Sequence, residues 1–179
     1  MKDADPDPDR QPIPAGPLAR EGFQDRLGLV LTHRSPTAIW GELQVTPYHL
    51  NRSGIVHGGI YCTILDACMT GAGLWCSVPG NVRRAVTLSM TVKFTGRVRS
   101  GLIRVEARKV ASGRRIYTST AEALSEDGEV LAHGIGSFQY MRGSEDPEGE
   151  PLDVALAARA QADAEVAAAA AAADAADKS

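Results

Sequence analysis

Five residues combine type and spacing in a way that could support chemistry: Asn51, His57, Gly58, Gly59 and Asp66. The first four lie in the run Asn51-Arg-Ser-Gly-Ile-Val-His57-Gly58-Gly59, and Asp66 follows nine residues after the histidine. Two glycines entering a helix let a ligand approach the backbone closely. The helix start also exposes unpaired N–H groups carrying partial positive charge. Aimed at a carbonyl oxygen, such donors stabilise the oxyanion that develops during acyl transfer. Asp66 stands between Leu65 and Ala67, and no basic residue occurs between Arg52 and Arg83. A carboxylate in that setting is costly unless it is hydrogen-bonded or used. It is suited to activating water as a general base or to attacking an acyl carbon itself.

The elements that must position these groups follow from periodicity. Ile60, Ile64, Ala67, Cys68, Gly71 and Trp75 recur at helical spacing, and Pro79-Gly80 is expected to end that helix. Nine helical residues correspond to about 900° of rotation and about 13 Å of rise. His57 and Asp66 are therefore expected to project from opposite sides, too far apart to share one carbonyl. If both belong to one site, they come from different subunits, which predicts a homodimer with two sites across its interface.

Ahead of the helix stand a short amphipathic stretch at Leu18–Gln24, an apolar segment at Leu27–Thr32 and a strand at Ala38–Val45. After it the period becomes two, with Val86, Leu88, Met90, Val92 and Phe94 alternating with polar residues as in a half-buried strand. Further strands are expected at 102–111, 115–125 and 129–140, separated by turns at Gly101, Gly113 and Gly128. The sum is an α+β fold, one long central helix wrapped by a curved antiparallel sheet.

Three regions emerge from composition. Residues 1–20 form an Asp- and Pro-rich leader expected to be disordered, 21–143 an ordered body, and 144–179 an acidic, Ala-rich low-complexity tail outside the fold. The body holds 14 basic and 9 acidic residues between two acidic ends, which points to an anionic ligand. Ten of those 14 lie between Arg83 and Arg115, where Glu106 is the only acid. Few aromatics accompany them, which argues against nucleic-acid binding.

Cys62, Cys68 and Cys76 form no CxxC and no metal-ligand spacing, so no metal site is expected and they read as small core residues. No apolar run approaches the ~20 residues of a membrane span, and the start of the chain has no secretory pattern. A cytoplasmic protein without membrane contact is the expectation.

Together these residues resemble the acyl-CoA thioesterases of the hotdog superfamily, in the phenylacetate-degradation (PaaI-like) branch. That branch carries an Asn or Gln, then His-Gly-Gly six residues on, then an acid nine residues after the His. Asn51, His57-Gly58-Gly59 and Asp66 keep both spacings. "VTLSMTVKFTGRVRSG" resembles the post-helix strand and "GRRIYTSTAEALSEDGEVLAHG" the last hairpin, so the likeness spans about residues 22–142.

The resemblance implies a hotdog fold and hydrolysis of an acyl-CoA to free acid and CoA without a cofactor. Asp66 would be nucleophile or general base, and the Gly58 N–H would polarise the carbonyl from the neighbouring subunit. Asn51 and His57 would orient carbonyl and water. Thr87 matches the hydroxyl residue that helps hold water, although alternation puts it on the face opposite Val86 and Leu88. Gly59, Arg114 and Arg115 would contact the CoA moiety, since Arg suits its phosphates. The branch also implies pairing of dimers into a homotetramer. Tyr61, Met69, Trp75 and Phe94 would line a pocket open to aryl and medium-chain acyls alike. A non-catalytic acyl-CoA-binding or sensing domain on the same fold is the alternative, against which the retained Asp66 argues.

Overall fold

The computed structural model describes residues 7–13 and 22–177. The rest of the leader, including residues 18–21 of the expected amphipathic stretch, lies outside the described residues. The chain runs β1 (Gln11–Pro12), α1 (Phe23–Leu27), β2 (Leu29–Arg34), β3 (Ala38–Gln44), then α2 (Gly58–Gly71). It continues through β4 (Asn81–Val82), β5 (Ala85–Phe94), β6 (Leu102–Ser112), β7 (Ile116–Leu124) and β8 (Val130–Tyr140) to β9 (Glu150–Pro151) and α3 (Leu152–Asp177). Seven strands form one antiparallel sheet in the order β1-β2-β3-β6-β7-β8-β5, and β4 pairs with β9 in a separate ribbon.

The helix lies on one face of this sheet because its apolar residues and those of the strands keep matching periods. Tyr61, Ile64, Leu65, Cys68, Met69 and Ala72 are buried at spacings that trace one helical stripe. They meet Ile103, Val105 and Ala107 of β6, Tyr117, Ala121 and Ala123 of β7, and Phe138 and Tyr140 of β8 in a single core. Bulges in β2, β5, β6 and the β7–β8 pairing bend the strands around the helix. The central helix and antiparallel sheet expected from the periodicity are the architecture of the chain.

The helix ends at Gly71, earlier than Pro79-Gly80 suggests. Carbonyls at its end and just past it are taken by side chains from the sheet: Tyr117 donates to Thr70 O at 2.7 Å and Tyr140 to Gly73 O at 3.1 Å. Gly73 lies so close to the Tyr117 ring that there is no room for a Cβ. With the carbonyls satisfied and the sheet in the way, the chain turns aside.

Both ends of the chain depart from the expected boundaries. In the leader, β1 pairs with β2, Asp7 accepts a 2.8 Å hydrogen bond from Ser35, and Arg10 stacks 4.6 Å over Trp40. Residues 7–13 therefore belong to the fold.

At the other end, buried Arg83 donates to the carbonyls of Ser144 and Glu145 at 3.0 and 3.1 Å, and Arg84 pairs with Glu150 at 2.7 Å. Residues 144–151 are thus bound to the body, and Ala155 is buried against it. Beyond Leu156 the described side chains of α3 are exposed. Alanine's helix propensity accounts for this extension without a packed face.

Candidate active site along the seam between helix and edge strand

The Asn51–Gly59 stretch forms a tight turn leading into α2. Asn51 Oδ1 accepts from Ser53 N at 2.8 Å and from Ile55 N at 3.4 Å, closing its own loop. The Asn51 Nδ2 amide is left as a donor, with no acceptor among the described residues. His57 is the N-cap of α2, with Nδ1 accepting from Gly59 N at 2.9 Å. That bond assigns the proton of a neutral ring to Nε2, so the outer edge of the imidazole is a donor.

His49 is an instructive contrast. It is buried, accepts from Thr46 N at 3.0 Å and donates Nε2–H to Leu27 O at 2.9 Å. Both its nitrogens are occupied, so it is a structural residue tying the 3₁₀ turn at Pro47–His49 to α1.

Two α2 residues border β5, one at the start of the helix and one past its middle. The Phe94 ring lies beside Gly58, where a Cβ would sit 3.5 Å from it. Further along, Thr87 donates its hydroxyl to Asp66 Oδ1 at 2.7 Å. Gly58 and Asp66 are thus separated along one seam, about 12 Å apart by helical rise, rather than by rotation to opposite sides. Among the described residues Asp66 has no cationic partner.

Thr87 reaches Asp66 because β5 is bulged. Thr87 pairs with Phe138 and Ser89 with Ser137, so Leu88 is the extra residue. Cross-strand partners share a face, so Thr87 stands with Phe138, Met90 (opposite Gly136) and Phe94 (opposite Ala132) on the side facing the helix. Strict alternation would have placed it on the other side.

The same strand corrects a second expectation. β5 is an edge strand, and Val86, Leu88 and Phe94 are 48%, 50% and 54% exposed, so it is not half-buried within one chain.

Arg114 and Arg115 lie elsewhere, at the start of β7. With Arg142 and the Gly143–Pro147 turn they line an open cleft of about 720 Å³. Glu145 sits in this cleft, its carboxyl held below the usual carboxylate range by its own N–H and that of Gly143, with Arg115 and Arg114 adding to the effect. Arg115 O accepts from Tyr140 N, and Tyr140 is opposite Ala85, so the cleft adjoins the Thr87 end of β5. Arg142 and this turn are functional candidates that sequence reasoning missed; an arginine two residues past a strand carries no signal of its own.

Of the expected pocket residues, Tyr61 and Phe94 are neighbours with ring centroids 6.3 Å apart, at the Gly58 end of the seam. The Tyr61 hydroxyl is buried and unpartnered among the described residues. Met69 is in the core, and Trp75 stands past the helix end, where Arg34 lies 5.4 Å over its ring. Cys68 is a core residue whose thiol burial pushes up to about 12, whereas Cys62 and Cys76 are partly exposed.

The thioesterase superfamily profile matches residues 53–132, a span that includes His57, Asp66, Thr87 and the arginine pair. A candidate esterase of Mycobacterium tuberculosis is 28% identical over 135 residues, covering 73% of this chain and 96% of that protein. Among solved structures, the TT0310 protein of Thermus thermophilus is 28% identical, with 68% of this chain and 99% of that one covered and a TM-score of 0.59. The PaaI protein of the E. coli phenylacetic acid degradation operon matches at 17% identity over 68% of this chain and 85% of its own, with a TM-score of 0.60. At that identity the last likeness is one of fold.

Proposed function

We propose that this hotdog-fold thioester hydrolase, whose residues 53–132 match the thioesterase superfamily, takes an acyl-CoA as its substrate and that its active site is completed only in a homodimer of PaaI-like type. The observation that carries this reading is the Asp66–Thr87 pair, a mid-helix carboxylate held by a hydroxyl at 2.7 Å beside an unpaired strand edge. A structural Asp on a helix gains nothing from an open edge, whereas a reacting carboxylate needs one.

In the reaction, the thioester carbonyl accepts the Gly58 N–H of the partner subunit at the positive end of its helix. His57 Nε2–H and Asn51 Nδ2 of that same subunit orient the carbonyl and the water. Asp66 takes a proton from water as the oxygen attacks the carbonyl carbon, and Thr87 holds one carboxylate oxygen so that the other faces the water. The oxyanion then collapses, the C–S bond breaks, and Asp66 returns the proton to the departing thiolate. Acid and CoA thiol leave. With Asp66 as nucleophile, the first product is instead a mixed anhydride, which water hydrolyses. Gly59 leaves room for the pantetheine arm. Arg114 and Arg115 take phosphates of CoA.

The edge position and exposed apolar residues of β5 support a two-fold strand pairing there. Ile116 and Ile135, exposed on the outer sheet face, support pairing of two dimers into a tetramer. Three free cysteines suit the reducing cytoplasm, and no described helix is long and apolar enough to cross a membrane.

Thiol release from a panel of aryl- and alkyl-CoA esters tests the reading. The folded Asp66→Asn variant should lose about a thousandfold in kcat, within the range general acid–base catalysis supplies. Unchanged turnover in that variant would exclude Asp66 from the chemistry.

A further inference from the structure

The register of the subunit pairing can be read from one chain. We infer that a second copy docks along the β5–α2 seam with its dyad at Thr91 of β5 and Cys62 of α2, so that each of these residues meets its own copy. The inference rests on the dimer reading above and goes beyond it by fixing which residues face which.

Two contacts set the register. Thr87 is level with Asp66, and Phe94 is level with Gly58. If Asp66 of one chain and Gly58 of the partner subunit act on one carbonyl, two-fold symmetry makes the reciprocal pair meet as well. The residue midway between Gly58 and Asp66 on α2 is Cys62, whose small, partly exposed side chain leaves room for a second helix.

The strand, its ends set by the same two contacts, gives the residue at that level. Between Thr87 and Phe94 the ladder residues are Thr87, Ser89, Met90, Thr91, Val92, Lys93 and Phe94, because Leu88 is bulged out. The central one of these is Thr91. Antiparallel partners must also share a face, and a dyad at Thr91 satisfies this at each step. Ser89 then faces Lys93 of the partner subunit, and Thr87 faces Phe94 of the partner subunit. A dyad at Met90 would put Thr87 opposite Val92 and leave Asp66 short of the partner's Gly58, and a dyad at Lys93 would oppose two lysines. The two contacts thus put Thr91 of the strand and Cys62 of the helix at one level.

Single cysteines on the exposed outer face of β5 test this, in a background with Cys62 and Cys76 replaced by serine. Directly opposed antiparallel residues have Cα atoms about 4.5–5.5 Å apart, within disulfide reach. Ser89 and its own copy would be four residues out of register, about 13 Å apart. Under diamide, Thr91→Cys should therefore become mostly a covalent dimer on a non-reducing gel. Ser89→Cys and Lys93→Cys should each stay uncrosslinked alone and cross-link when mixed.

Self-cross-linking of Ser89→Cys or Lys93→Cys, or none by Thr91→Cys in a chain that sediments as a dimer, overturns the register while leaving the dimeric enzyme intact. A monomeric chain with full thiol release overturns the dimer reading itself, and the register with it.

Discussion

The two edges of the sheet are built in opposite ways. At the β1 edge the strand is two residues long and its surroundings are cross-tied: Asp7 accepts from Ser35 and lies 3.7 Å from Arg108, while Arg10 covers Trp40. At the β5 edge a ten-residue strand ends the sheet with Val86, Leu88 and Phe94 in the open, and its one cation, Lys93, stands near the end. Natural sheets blunt their edges with short strands, charge and covering loops. This chain does so on one side and omits it on the other, and the omission coincides with Asp66, Thr87, Gly58 and His57. A long edge with a single charge beside the candidate site fits the pairing proposed above.

Charge placed at the centre of the open edge is the harshest way to break this contrast. Thr91→Lys brings two ammonium groups together at the dyad, and like-charge juxtaposition across an interface costs several kcal/mol. The dimer dissociation constant should rise by about a thousandfold. Activity per chain should collapse at low protein concentration and recover as concentration rises, with circular dichroism unchanged. Concentration-independent activity would break the link between edge and site.

A sharper cut separates the two roles of His57. His57→Asn keeps an N-cap acceptor, so stability should shift by only a few tenths of a kcal/mol. It removes the outward Nε2–H, and loss of a donor to a developing oxyanion costs about a hundredfold in kcat. Equal losses in stability and turnover would mean that His57 does no more than cap. His49 would show the reverse pattern, since both its nitrogens already serve the fold.

Thr87→Ala is milder. Losing a hydrogen bond to a charged group costs about 1.5–3 kcal/mol when buried, and exposure of Thr87 reduces this to about a tenfold loss in kcat. Thr87→Ser should restore most of it, because the donor survives. A rise in KM alone, with kcat intact, would assign Thr87 to substrate fit instead of to Asp66.

The same residue marks where the sequence stops being readable. The Asn51, His57-Gly58-Gly59 and Asp66 spacings are local, and so is the stripe that lays α2 on the sheet. Thr87 belongs on the helix side only through the bulge at Leu88, and a bulge shifts alternation without any residue type that announces it. The attachment of residues 144–151 was hidden for a related reason. Arg83 holds them through backbone carbonyls, which every residue has, so no pattern of side chains points to the contact.

The smallest effect on activity belongs to the covered edge, and it completes the comparison. Asp7→Ala removes the charged acceptor of the buried Ser35 hydroxyl and a partner of the more exposed Arg108. A hydrogen bond to a charged group contributes about 1.5–3 kcal/mol, so chemical denaturation should show a loss near the lower end of that range, with no effect on activity. Thiol release and the sedimentation coefficient should stay as they were, because the β1 edge lies at the opposite end of the sheet from Asp66. If Asp7→Ala instead shifted the monomer–dimer balance, the covered edge would also be part of an interface. The division of labour between a sealed edge and a pairing edge would then have to be abandoned.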